Sequence, residues 1–331
     1  MMNCVSRMLL CLIILFFSLS GIVYGESSDT VELAASRKAL YLKTAAITGV
    51  DWTALAACDQ YARNVSLSAD PSGHSRLISL ESTGRDWVGL FNTNLHDQDP
   101  VSIAFLGGTG KDGNGDGRAD PKNPEDLLLA FAEQLAAYGP GEENTRIAMW
   151  NYFHRGKAVE LIEDYAAVFK KFNTVNLSGY TFPLPLSANY DYAPTWGARR
   201  GWGGLRIHEG TDLFADYGTP VRATAYGVVE MKGWNKYGGW RIGLRDLHGN
   251  YHYFAHLNGY APHLHAGMVT QPGQVIGYVG SSGYGPEGTM GKFPPHLHYG
   301  LYHDTGISEF SVDPYPSLRL WEKQERTKAK K

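Results

Sequence analysis

His296 and His298 are one residue apart. In a β-strand, side chains at i and i+2 leave the same face. Both imidazoles therefore project together, and Leu297 between them turns into the core. A second piece, His208-Glu209-Gly210-Thr211-Asp212, sets an imidazole and a carboxylate four residues apart. Gly210 and Thr211 argue against a helix there; a strand running into a turn brings both groups to one place. Two imidazoles and one carboxylate are a zinc set, and three protein ligands leave the fourth position open for water. One histidine of the 296/298 pair is then free. His256, within Tyr253-Phe254-Ala255-His256-Leu257, is a second free imidazole. Such groups titrate near neutral pH and can take and return a proton. The chemistry is metal-assisted hydrolysis: a polarised carbonyl, an acidified water, and a neutral histidine that hands the water's proton to a leaving amine. No His-Glu-x-x-His helix occurs, so a glutamate base of that kind is not available. Spacing alone leaves open which member of the 296/298 pair holds metal.

Other polar residues compete for attention. Nine of the twelve histidines lie between His208 and His303. The pair His263-Leu264-His265 follows Pro262 and precedes Ala266-Gly267, so it is expected in a loop and not as a ligand pair. Glu209 is expected to be solvated, and His248 and His252 to be surface or packing residues. His252 shares strand parity with His256, so a place beside the site is its alternative. Further upstream, Asp112, Asn114, Asp116 and Asp120, with Gly117 at the sixth position, resemble the first nine positions of a calcium-binding EF-hand loop. They are a candidate calcium site, although the twelfth position holds Asn123 where that loop has glutamate. Cys58 sits in an apolar stretch and is expected to be a buried structural thiol.

These residues need elements to hold them. Runs at Val221–Met231, Trp240–Leu244, Tyr251–His256, Val275–Val279 and Leu297–Tyr302 are separated by glycines and are candidate strands of a mainly antiparallel unit. Before them, Val31–Thr44, Trp52–Val65, a segment opened by Pro124, Asn144–His154 and Ala158–Phe172 are expected helices. Leu128, Phe131 and Leu135 keep helical spacing in the third, as do Val159, Ile162, Ala166 and Phe169 in the last. The fold class is therefore α+β. Residues 1–25 form an export segment, 26–172 a helical domain, 173–185 a linker rich in turn residues and proline, 186–320 the β domain, and 321–331 a charged, frayed tail. At 331 residues and 43% hydrophobic content, the chain has apolar surface for two cores.

At the histidine pieces the chain resembles the lysostaphin-type zinc metallopeptidases of bacterial cell walls. The pattern H-x-x-x-D, a later H-x-H, and a histidine between them after an aromatic–small pair all occur in order. Thr195-Trp196-Gly197, Gly218-Thr219-Pro220-Val221 and Pro272-Gly273-Gln274-Val275-Ile276-Gly277 match the surroundings, and the similarity spans roughly residues 180–305. The resemblance implies zinc ligands His208, Asp212 and His298, with His256 and His296 as general base and intermediate stabiliser. It also implies a small open antiparallel sheet of the duplicated hybrid motif type, with peptidoglycan as substrate. In the helical domain, Ala56-Ala57-Cys58-Asp59-Gln60-Tyr61, Phe105-Leu106-Gly107-Gly108 and the Asp/Gly-rich loop resemble the lytic transglycosylase branch of the lysozyme-like fold. Those enzymes act through one glutamic acid. Asp59 stands at the matching position and is one methylene shorter, so glycan binding or spacing without cleavage is expected. In overall plan the chain also resembles the sporulation L-Ala–D-Glu endopeptidases of endospore formers. Two alternatives stand beside the active endopeptidase: a catalytically silent wall-binding or enzyme-activating relative, and a two-activity peptidase and transglycosylase. The filled ligand positions argue against the first, and Asp59 against the second.

The N-terminus is set apart from the fold. Arg7 precedes an almost continuous apolar run, Met8–Leu19, and small residues follow before Glu26. This is the pattern of a secretory signal peptide, the competing reading being an uncleaved membrane anchor. Either way the protein is expected outside the cytoplasmic membrane: secreted, wall-associated or anchored. With the leader removed, Cys58 stands alone and no intramolecular disulfide forms. The net charge of -3 provides no basic field for nucleic acid.

Overall fold

The computed structural model describes residues 28–69, 76–82, 84–201 and 205–330. The expected export segment, residues 1–25, lies outside them. None of the described helices is long and apolar enough to cross a membrane.

Among the described residues seven helices come first: α1 (Ser28–Thr48), α2 (Trp52–Ala69), α3 (Gly84–Val88), α4 (Pro100–Phe105), α5 (Pro124–Ala136), α6 (Glu142–Phe153) and α7 (Gly156–Phe172). Sequence patterning anticipates five of them. The two short ones carry too few turns for a periodic signal. Helix α5 begins where local chemistry dictates: Asn123 accepts from the backbone N–H groups of Glu125 and Asp126, and Pro124 fills the first turn. Helix α7 buries Val159, Ile162, Tyr165 and Phe169 against α2. Cys58 is fully buried in this core, and burial pushes its thiol well above the ordinary range, leaving it unreactive.

Twelve strands follow among the described residues: β1 (Tyr190–Tyr192), β2 (Arg199–Arg200), β3 (Arg206–Ile207), β4 (Thr211–Ala215), β5 (Pro220–Arg222), β6 (Gly227–Asn235), β7 (Gly239–Asp246), β8 (Asn250–Tyr260), β9 (Val269–Thr270), β10 (Val275–Val279), β11 (His296–Asp304) and β12 (Glu309–Val312). Ten of them form one sheet with the path β1-β4-β11-β8-β7-β6-β9; β5, β10 and β12 attach at its side, and β2 pairs with β3 separately. Each strand pairing is antiparallel. Strand β11 is central to the site, lying between β4 and β8. Leu213, Phe254, Leu297 and Tyr299 fill the core on one side of it.

Helices and sheet share an interface. Val228 and Leu247 belong to the same apolar cluster as the helices, and Phe172 meets Tyr226 edge-on at 5.0 Å. Asn64 donates to the Leu247 carbonyl at 3.0 Å, and Arg155 pairs with Asp304 at 3.0 Å.

Two expectations about boundaries require correction. The segment expected as a linker divides. Residues 173–179 are irregular, but Phe182 and Leu184 are fully buried in the sheet's core and Thr181 bonds the Thr224 carbonyl. Their apolar side chains were masked by the neighbouring prolines. The charged tail is not frayed: helix α8 (Tyr315–Lys328) buries Leu318 and Trp321, and Trp321 stacks on Tyr180 at 4.9 Å. Glu325 pairs with Arg222 at 3.0 Å. The charges sit on the outer face of an amphipathic helix whose apolar positions are few.

Candidate metal centre

Strand register assembles the site. His298 lies directly opposite Asp212, and Leu297 opposite Leu213. The expected alternation holds: His296 and His298 leave one face and Leu297 the other. His208 sits in the turn between β3 and β4, as a strand running into a turn allows. Gly210 in that turn is required by contact, since a Cβ there would lie 2.7 Å from both His298 Cε1 and the Tyr299 carbonyl.

Three potential ligand atoms converge. His208 Nε2 is 2.9 Å from His298 Nδ1 and 3.1 Å from Asp212 Oδ1, and His298 Nδ1 is 3.0 Å from the same oxygen. Among the described residues, these three side chains are the one group of its kind with ligand atoms within 4.8 Å of one another. Tetrahedral zinc with bonds of about 2.0–2.1 Å spaces its ligands about 3.3 Å apart, so the triangle fits the ion. The proton inventory fits as well. His208 Nδ1–H donates to the Thr195 carbonyl at 2.9 Å, which leaves the Nε2 lone pair facing the others. All three residues are largely buried. Burial works to raise the Asp212 carboxyl, but the imidazoles of His208 and His298 against it overcome that and hold the group well below the usual carboxylate range. Burial lowers His298, which favours the neutral imidazole a metal needs.

Two further imidazoles border the triangle. His296 Nδ1–H donates to the Pro294 carbonyl at 2.9 Å, and its Nε2 lies 3.7 Å from Asp212 Oδ1. His256 Nδ1–H donates to the Ser282 carbonyl at 2.8 Å, and its ring lies 4.8 Å from that of His296. Each therefore turns an Nε2 lone pair toward the groove. Burial lowers both, His256 well below its ordinary value, with His296 and His298 adding to the effect at His256.

His256 reaches this face through a backbone irregularity. In β8, Tyr253 and Ala255 lie opposite Gly300 and His298, on the site face, whereas His252 and Phe254 lie opposite Leu301 and Tyr299. Parity would put His256 in the core. Its φ of 62° and the register shift where β8 pairs with β7 re-aim it. His252 is a packing histidine as expected, and not the neighbour of the site that parity also allowed: it is fully buried, its Nε2 donates to Asp246 at 3.0 Å, and Nδ1 lies 2.6 Å from the Tyr299 hydroxyl. His263 and His265 flank the buried Leu264 in a turn, away from the triangle, and Glu209 is exposed and accepts from the Tyr302 hydroxyl.

The groove of about 270 Å³ above the triangle is lined by Tyr237, Tyr253, Tyr284, Phe293 and Tyr302, and by two arginines that motif reasoning missed, Arg200 and Arg206. Arg200 Nη2 lies 2.5 Å from Asp212 Oδ2 and is 3.0 Å from each ring nitrogen of His208, so it rests against the ring and not on a lone pair. Both arginines sit in strands too short to announce themselves in a sequence.

The helical region has no comparable convergence. Asp112 accepts from the backbone N–H groups of Gly115, Asp116 and Gly117, Asp116 from Arg118, and Asp120 from Lys122. These carboxylates fold the loop on themselves and do not gather into a three-carboxylate cage; Asn123, at the twelfth position, is the cap of α5. The buried carboxylate that organises the loop is Asp126, which accepts from Gly113, Asn114 and Asp120. Asp59 is fully buried. It accepts from the Tyr41 hydroxyl and Arg63 at 2.6 Å each, and from the Ser79 and Leu80 amides at 2.5 and 3.2 Å. It faces no cleft.

Residues 206–314 match Peptidase family M23. The chain is 50% identical over 325 residues to the L-Ala–D-Glu endopeptidase of Bacillus subtilis (strain 168), spanning 98% of this chain and 99% of that protein. It is 34% identical over 114 residues to the glycyl-glycine endopeptidase ALE-1 of Staphylococcus capitis, 34% of this chain and 29% of that one. Among solved structures, the catalytic domain of lysostaphin from Staphylococcus simulans matches at 32% identity with a TM-score of 0.28, over 43% of this chain and 90% of that chain.

Proposed function

The chain belongs to peptidase family M23, and from that premise we propose how its site works and which bond it cuts. It is a zinc-dependent endopeptidase of peptidoglycan. His208 Nε2, Asp212 Oδ1 and His298 Nδ1 hold the metal; the convergence of these three atoms carries the assignment. Zinc bound there supplies Lewis acidity, polarising a carbonyl and acidifying water. His256 Nε2 takes the proton of the attacking water and returns it to the leaving amine, its ring held in one tautomer by the Ser282 carbonyl. His296, anchored by the Pro294 carbonyl, donates to the developing oxyanion once it is protonated.

The bond is that between L-alanine and D-glutamate of the stem peptide. Its support is the full-length likeness to an enzyme named for that bond, which extends through the helical region as well as the peptidase. Mass spectrometry of digested peptidoglycan tests this. Stems ending in L-alanine and fragments beginning with D-glutamate are expected; D-alanine ends or cut cross-bridges would refute it.

The helical region, residues 26–172, retains its lysozyme-like resemblance as a proposal, with a wall-positioning role. The bonded, buried state of Asp59 supports binding without glycan cleavage. Export across the cytoplasmic membrane is proposed from the segment before Glu26 and suits a wall substrate.

A further inference from the structure

We propose that Arg206 recognises a free carboxylate on the substrate residue just after the cut bond, and so selects which peptide bond enters the site. The inference rests on the L-Ala–D-Glu reading. A glutamyl residue acylated on its nitrogen has two carboxyl groups. Where the peptide continues through the side-chain carboxyl, the other remains an anion on the carbon that bears the scissile nitrogen.

The groove holds a cation suited to that anion. Arg200 and Arg206 are direct cross-strand partners in the β2–β3 ribbon, and both line the groove. Like charges opposed in a ribbon are destabilising unless anions offset them. Arg200 has its anion, Asp212 Oδ2. Among the described residues Arg206 has none; its Nη2 donates to the Tyr284 hydroxyl at 2.5 Å. Its guanidinium carbon lies 5.8 Å from the ring centroids of both Tyr237 and Tyr284, so two aromatic faces hold it in place. Glu209, the exposed carboxylate of the groove, is turned to Tyr302. A guanidinium has five N–H donors in a fork that fits a carboxylate, and one is used here.

Position favours the product side of the cut. Tyr284, on which Arg206 rests, stacks on His256 at 6.1 Å. His256 delivers the proton to the leaving nitrogen, so the residue bearing that nitrogen lies on this side of the site. Arg206, then, Tyr284 and His256 form one row, with the carboxylate clamp next to the proton donor.

The test uses the full-length zinc-loaded protein and two peptides of one sequence, with the glutamyl carboxylate either free or amidated. A charge-assisted bidentate contact predicts a wild-type preference in kcat/KM of roughly ten- to a hundredfold for the free acid. Arg206→Gln should bring that preference toward one while zinc content is retained. Lys236→Gln, which removes a neighbouring cation lying on Tyr237 outside the groove lining, should keep it. Should Arg206→Gln misfold, Arg206→Lys decides: it keeps charge without the fork, and an intermediate preference supports the clamp, whereas the wild-type preference overturns it. Equal loss on both peptides in Arg206→Gln, or no preference in the wild type, also overturns it. If neither peptide is cut and wall digests carry other new termini, the bond assignment itself fails and the clamp fails with it.

Discussion

Asp212 of the sheet and Asp59 of the helical region are both buried carboxylates near imidazole- or hydroxyl-bearing neighbours, and only Asp212 converges with other potential ligand atoms. Asp59 is surrounded by donors that belong to the fold: a tyrosine hydroxyl, a guanidinium and two backbone amides. Both of its oxygens are satisfied, and nothing remains for a ligand to supply. Asp212 has one oxygen on Arg200, while the other faces two imidazole nitrogens whose ready state is a lone pair. A carboxylate oxygen and the His208 lone pair, both turned to His298 Nδ1, make a set that a cation satisfies. Burial is common to the two residues; the kind of partner separates them. The loop at Asp112–Asp120 falls on the side of Asp59, because backbone N–H groups take up its carboxylates.

The comparison breaks first at the metal. His208→Ala should bind no zinc by elemental analysis, and wall digestion should fall to background. Digestion at the wild-type rate by metal-free protein would put the site elsewhere. Next in size are His256→Ala and His296→Ala, which should keep zinc yet lose about 10²- to 10⁴-fold in turnover, because they move protons and charge. The pH profile sharpens this. A base works while neutral, and burial depresses the His256 pKa from its usual value of about 6.5. Activity should therefore persist as pH falls through 6.5 and decline only below it; a nearby cation pushes in the same direction. An acid limb at or above 6.5 that His256→Ala leaves unmoved would remove His256 from the base role. Smallest in its effect on turnover is Asp59→Ala. It leaves the Arg63 guanidinium buried without its partner, a loss of about 3–5 kcal/mol in stability. At a temperature where the variant is folded, zinc content and peptide cleavage should be unchanged. Release of anhydro-sugar products that disappears in Asp59→Ala would make the helical region a second active centre.

Much of the site was legible from residue types and short-range geometry. Strand alternation is local, so His296-Leu297-His298 predicted two imidazoles on one face with the leucine inward. The calcium-like loop misled for the same local reason: alternating acids suit a metal cage and a self-capped turn equally, and the choice depends on which N–H groups fold back. The alternative that parity offered for His252 fails because parity assumes an unbroken strand, and the register of β8 shifts where it pairs with β7.

From the sequence alone came the class of chemistry, the α+β order of elements and the candidate ligands, because side-chain type and the periods of helix and strand are properties of neighbouring residues. Tertiary structure decided the rest. It set Asp212 opposite His298 by register, brought His208 to them across a turn that tolerates only glycine at 210, and turned His256 to the groove through a left-handed backbone. It placed Arg206 between two tyrosines from distant segments and sealed Asp59 among donors from α1, α2 and residues 79–80. Each of these depends on contacts between residues tens of positions apart, which no local spacing encodes.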